Sequence, residues 1–322
     1  GETSVVKAGR TVDATYMNVQ VPSIRDPLYE VAPEATCRPP NALPTVARQH
    51  DRYVVVGAGK TGMDACLFLL KNGVDPDTIS WIMPRDSWLL DRANIQPGPS
   101  FAPSVIGSIA SQMEVSAQSE TVEELFAGLE RTGVLSRIDP SVDPTMYRCA
   151  TVTQAELEQL RRIDNVVRLG RVVRIDGSEI VLDDGTIPTG PDVLHVDCSA
   201  DGLAKRPVVP IFDGDQITLQ TVRTCQQVFS AAFIAHVEAA YDDPSQKNEL
   251  CNVVPHPDTD LDWLRVTLAN TLNGLVWRQD ADLASWLRAA RLDGFSSRGR
   301  YGDGNAVEGA LQPPAEVRKA TR

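Results

Sequence analysis

The chain has 322 residues, 42% hydrophobic and 23% charged, enough for one large or two ordinary domains with proper cores. A formal net charge of −12, with no clustered basic stripe, argues against nucleic acid or an anionic membrane as partner. No apolar run approaches the ~20 residues of a membrane helix and no basic-then-apolar leader opens the chain, so a cytoplasmic location is expected.

Thr11 to Val21 reads as extended. Pro22, Pro27, Pro33, Pro39, Pro40 and Pro44 then rule out a long helix and predict a linker crossing between domains. Tyr53-Val54-Val55-Val56 is strand-like. It runs into Gly57-Ala58-Gly59-Lys60-Thr61-Gly62, which opens a helix from Met63 to Asn72 ended by Gly73. Each glycine has a physical task if this is a dinucleotide turn. The first makes the tight bend, the second admits a pyrophosphate against the main chain, and the third lets helix and strand pack closely. The amides opening the helix, aided by its dipole, then face an anion, and Lys60 and Thr61 are candidate donors to it.

Ile79 to Met83 is the next strand, stopped by Pro84, so this stretch reads as the start of a doubly wound sheet. Asp86 to Ser104 is irregular. Thr121-Val122-Glu123-Glu124 and Thr153-Gln154-Ala155-Glu156 are capping boxes that predict two helices. Strands are expected over 165–169, 171–175 and Glu179–Leu182, the last turning at Asp183-Asp184-Gly185-Thr186, and again over Val193–Asp197. Helices are expected over 229–241, 263–277 and 283–292, with Trp263, Trp277 and Trp286 as core or interface anchors. From Ser296 onward Gly, Arg, Asp and Pro predict a flexible tail.

The six cysteines are scattered without a Cys-x-x-Cys pair, which removes a redox dithiol and the usual zinc spacing; the even count leaves disulfides open, but reduced thiols are expected. His50, His195, His236 and His256 are isolated, and His195 and His236 sit in apolar runs, as structural histidines do. Arg85, just past the second strand, offers a planar donor fork suited to the 2′-phosphate of NADP. Its neighbour Asp86 leaves NAD as the alternative, and an Arg85–Asp86 surface pair is the structural reading of the same residues.

The lead-in Asp13-Ala14-Thr15-Tyr16, the Gly57–Gly62 turn, the Asp183-Asp184-Gly185 hairpin and the strand Val193–Asp197 followed by Cys198-Ser199-Ala200-Asp201-Gly202 together carry a resemblance. Roughly residues 10 to 220 resemble the NAD(P)-binding part of two-dinucleotide flavoproteins, the flavin-containing monooxygenases and pyridine-nucleotide oxidoreductases. The resemblance implies an α/β fold: a Rossmann-like NAD(P)-binding domain inserted in a partial flavin-type domain, followed by a mainly helical C-terminal region. The corresponding segments are a lead-in and proline-rich linker over 1–50, the NAD(P) domain over 51–196, flavin-type remnant and helices over 197–295, and a tail over 296–322. It also implies Asp215, in Phe212-Asp213-Gly214-Asp215, as a flavin contact, although a plain Asp-Gly turn explains the same residues.

The pattern departs from the family in one respect. No flavin-binding glycine turn precedes Gly57, and the chain opens at Gly1 rather than Met. The expectations are a longer polypeptide, a partner supplying the flavin half, or lost flavin binding. The implied function is an NADPH-dependent flavoprotein oxidoreductase, monooxygenase-like, using NADP (or NAD) and, as a further option, FAD on a small-molecule substrate, either as a homo-oligomer or with a partner supplying the flavin half. The alternatives are a non-catalytic NAD(P)-binding subunit or sensor, and a flavin-free carbonyl reductase, for which no Tyr-x-x-x-Lys pair is present.

Overall fold

The computed structural model describes residues 7–96, 99–290 and 292. By its contacts the chain forms two units, one of Gly1–Leu89 with Ser136–Asn270 and one of Leu90–Leu135 with Thr271–Arg322. The expected boundaries after residues 50 and 196 both fall inside the first unit. The expected tail from Ser296 lies outside the described residues.

The first unit is built on five strands and a helix: β1 (Thr36–Arg38), β2 (Arg52–Val56), α1 (Lys60–Lys71), β3 (Ile79–Ile82), β4 (Val166–Val167) and β5 (Val193–Asp197). The strands form one sheet in the order β1-β5-β2-β3-β4, with every neighbouring pair parallel. β2 lies at the centre, with Val55 opposite Val196 on one side and Trp81 on the other. Its β-branched residues suit a strand buried on both faces.

Side-chain alternation along β2 separates two cores. Tyr53 and Val55 pack with Met63, Cys66 and Leu69 of α1 and with Leu157 and Leu160 of the helix Gln154–Leu160. Val54 and Val56 pack on the opposite face with Ile175, Ile180 and Leu182. Those residues belong to a second sheet, in which Gly185–Pro188, Glu179–Leu182, Val172–Ile175 and Glu30–Val31 are successive neighbours. The expectation of a doubly wound sheet therefore needs correction, because helices cover one face and this small sheet covers the other. The physical reason is a pair of reversals, at 176–178 and at Asp183-Asp184-Gly185, which fold three consecutive strands into a layer where a second helix layer would lie.

Local signals in the sequence hold at several ends. Gly73 takes φ +84 just past α1. The Thr153 hydroxyl accepts from the Glu156 amide at 3.1 Å while the Glu156 carboxylate accepts from the Thr153 amide at 2.8 Å, a reciprocal capping box. At Thr121 only half of the expected box forms: its hydroxyl accepts from the Glu124 amide at 3.2 Å, but the Glu124 carboxylate accepts from the Glu120 amide instead. The extended lead-in is shorter than expected, since only Thr11–Asp13 is strand. The Asp13 carboxylate accepts from both the amide and hydroxyl of Thr15 at 2.8 Å and turns the chain there.

In the second unit the helix Ala102–Gln118 was not expected. Pro103 falls in its first turn, where a missing N–H costs nothing. It packs closely on Val122–Arg131: a Cβ on Gly128 would come within 2.5 Å of a Val115 methyl. Among the described residues no helix is long and apolar enough to cross a membrane.

Candidate functional site

The glycine turn lies at the carboxyl end of β2, between the ends of β3 and β5, the edge at which open parallel sheets hold ligands. Gly57 takes φ +122, and a Cβ there would sit 2.8 Å from the Cys198 carbonyl oxygen. Its own amide donates to the Ile82 carbonyl at 2.9 Å, and its carbonyl accepts from the Trp81 indole at 2.9 Å. Trp81 is wholly buried, so the bend is bolted to β3 from beneath. Gly62 is required for a different reason, since a Cβ there would lie 2.0 Å from the Gly57 carbonyl oxygen.

Gly59 contrasts with both. Its φ of −74 and ψ of 177 are ordinary for any residue, and a Cβ there meets nothing within 4 Å. The amides of Lys60, Thr61 and Gly62 precede the first helical bond, which Met63 donates to the Gly59 carbonyl at 3.1 Å, and no side chain caps them. Open space at Gly59 beside uncapped amides is what a diphosphate needs, so these residues fit an NAD(P) pyrophosphate. Ala58 is buried in the bend, whereas Gly59 and Thr61 are exposed. The Lys60 ammonium is paired with the Asp64 carboxylate one turn along α1, which leaves the backbone as the main source of donors.

The tryptophan under the bend was not read from the sequence. Replacing Trp81 by Phe leaves the Gly57 carbonyl buried without its donor, and a loss of about 1–3 kcal/mol is expected in urea unfolding. A loss below ~0.5 kcal/mol would show that the indole does not hold the bend.

Arg85 and Asp86 are separated by the fold rather than paired. Asp86 is 6% exposed and accepts a two-pronged contact from Arg168 at 2.8 and 3.0 Å. Arg85 reaches Asp258 at 3.3 Å and the Thr145 carbonyl at 2.8 Å. Asp258 also accepts from Arg148 at 2.9 Å and from Lys205 at 2.7 Å, so three cations converge on one carboxylate. Nothing in the sequence signalled this cluster, because its members are far apart along the chain and share no motif.

Asp215 lies in the turn between Phe212–Asp213 and Gln216–Thr218, 90% exposed and 3.1 Å from Arg10. Gly214 takes φ +54 there, as the Asp-Gly turn reading requires.

His195 has both ring nitrogens engaged, with Thr189 at 2.7 Å and the Thr36 carbonyl at 3.0 Å, the structural role expected of it. The expectation of reduced cysteines fails for two of the six: Cys149 and Cys225, 76 positions apart, are joined in a disulfide. Sequence spacing carries no information on such a pairing. Burial pushes the thiols of Cys66, Cys198 and Cys251 well up and that of Cys37 up to about 11, so none is a thiolate nucleophile at neutral pH.

No protein-family model matches the chain. It is similar to an uncharacterized protein of Mycobacterium tuberculosis and to one of Mycobacterium bovis, 56% identical to each over 284 residues. The match covers 88% of this chain and 53% of each relative, so the chain spans about half the length of the curated relatives it matches.

Proposed function

We propose that this chain is the NADPH-holding part of a flavin-dependent oxidoreductase, monooxygenase-like, in which a Rossmann-like NAD(P) domain is set within a flavin-type domain. The observation that carries the reading is the turn at Gly57–Gly62. Two of its glycines are forced by contact with protein, while the middle one faces open space beside uncapped amides.

In this reading the amides of Lys60, Thr61 and Gly62 grip the pyrophosphate, and Trp81 keeps the bend rigid so that little ordering is lost on binding. A coenzyme held there would supply hydride chemistry toward a flavin, and the residues of the turn would contribute its position rather than an acid–base pair. The short strand Thr11–Asp13 pairs in parallel with Gln216–Thr218, which brings the lead-in beside the return segment as an inserted domain requires. Flavin itself would be held by a region beyond this chain's glycine turn, in the remaining half of a longer polypeptide or in a partner.

NADP is preferred to NAD because Asp86 is committed to Arg168, leaving no carboxylate at that position for a ribose hydroxyl. Arg85 keeps an exposed edge, with 31% of its side chain accessible, through which it would reach the 2′-phosphate.

Titration calorimetry with NADPH and NADH tests this reading. NADPH is expected to bind, and Arg85→Met to weaken it about tenfold while NADH changes less than about twofold. Equal effects on the two coenzymes would remove Arg85 from the phosphate. No heat from either coenzyme would remove the whole reading, whereas coenzyme binding with no turnover by the flavin-loaded full-length protein would favour a nucleotide-binding subunit.

A further inference from the structure

A cavity of about 180 Å³ lies wholly within the first unit. Its depth is apolar: Leu203 and Val254 are buried and Val253 extends the wall, while the exposed Val208 carries the apolar surface out to the rim. Two of the polar side chains lining it are already satisfied. Gln220 exchanges two hydrogen bonds with the Val209 backbone, and Thr221 donates to the Val254 carbonyl at 2.7 Å.

The rim is different. Lys205 and Arg206 are exposed there, and Arg148 lies beside them. With Arg85 behind Asp258, four cations gather around this cavity. Four carboxylates oppose them: Asp258, Asp201 on Arg148 at 3.1 Å, Asp13, whose charge acts on Arg206, and Asp262, whose charge acts on His256 and which is itself paired with a fifth cation, Arg265, at 2.6 Å. This is a local positive excess in a chain of net charge −12. Arg206 stacks 5.2 Å over the Tyr16 ring and has no ion-pair partner among the described residues. His256 also lines the cavity, and its Nδ1 is buried without a hydrogen-bond partner.

We propose that this cavity binds a small organic anion, a carboxylate with a short apolar body, its head against Arg206 and Lys205 and its body against Leu203 and Val254. Size sets the class. At roughly 30 Å³ for each water displaced, the cavity takes fewer than about ten non-hydrogen atoms, far too few for a dinucleotide. The unpartnered His256 nitrogen would favour a ligand that also carries a hydroxyl or amine. The cavity residues Asp201 and Leu203 follow β5, and Arg85 follows β3, the two strands that flank the glycine turn's own. The ligand's status as substrate rests on the oxidoreductase reading above; its binding does not.

The test is calorimetry on the whole chain with hexanoate, against hexanol, hexylamine and inorganic phosphate. Hexanoate is expected to bind at least about tenfold more tightly than any of the three, because the charged head and the apolar body each contribute. Arg206→Glu, at an exposed position, should weaken hexanoate by about fivefold or more, as should Val208→Glu on the rim. Gly59→Val should leave hexanoate binding intact, which separates this site from the coenzyme turn. Hexanol or phosphate binding as tightly as hexanoate, no effect of Arg206→Glu, or no heat from hexanoate would each overturn the proposal.

Discussion

Gly59→Val is expected to abolish coenzyme binding in a protein that still folds, and Gly62→Ala to disrupt the fold before binding can be measured. The two residues lie three apart in one turn, yet they answer to different constraints. At Gly59 the backbone is in a region open to any residue, and the added Cβ meets nothing within 4 Å. The folding cost is the ordinary loss at a helix N-cap, no more than ~1 kcal/mol. A pyrophosphate lying on the main chain would meet both valine methyls, so affinity should fall by at least about 100-fold. At Gly62 alanine would gain about 1 kcal/mol of helix propensity. It would also place a methyl 2.0 Å from the Gly57 carbonyl oxygen, and neither backbone can yield without breaking the Trp81 bond. Relief of that overlap should cost about 3 kcal/mol or more, so the clash wins. Chemical denaturation of both variants, with calorimetry on Gly59→Val, gives the answer. A Gly59→Val protein that binds NADPH like the parent would show that the turn serves packing alone.

The contrast marks where sequence reasoning succeeds. The Thr153 capping box and the hairpin at Asp183-Asp184-Gly185 are set by contacts a few residues apart, and the glycine motif and the apolar run Val193–Asp197 are written in consecutive residues, so all four signals are local in sequence. The same reasoning sees three glycines as one pattern and cannot rank them, because the atoms that force Gly57 and Gly62 belong to Cys198 and to the bend itself. It missed the helix Ala102–Gln118, whose small and polar residues give a weak apolar period, and it expected a second helix layer where three short strands lie. Arg85 shows the limit most clearly. Adjacency suggested Asp86 as its partner, yet strand geometry gives Asp86 to Arg168 and Arg85 to Asp258, which lies 173 positions away.

Asp258→Ala is accordingly expected to be among the most damaging changes of a polar residue in the first unit. Arg85, Arg148 and Lys205 would remain facing one another around a lost carboxylate, and a cost of about 2–3 kcal/mol is expected. The estimate stays below that for fully buried pairs because 23% of the Asp258 side chain and 60% of Lys205 are exposed to screening solvent. Removing one of the like charges should relieve the loss, so Lys205→Ala combined with Asp258→Ala should be more stable than Asp258→Ala alone. The same cluster predicts acid sensitivity. Burial acts to raise the Asp258 carboxyl, but hydrogen bonds from Lys205 and Arg148, with the charges of Arg148 and Arg85, hold it well below the ordinary carboxylate range. Asp262 is held at about 2, where burial is outweighed by the amides of Asp258 and Thr259 and by Arg265. Depressed values in the folded state mean that the stabilisation is complete above the unfolded carboxylate range near pH 4 and is lost as pH falls toward about 2. Urea midpoints measured from pH 6 down to pH 2.5 should therefore fall in the parent and fall less steeply in Asp258→Ala. Equal slopes would mean that Asp258 is no better partnered in the folded chain than in water, and the three-cation cluster would lose its energetic meaning.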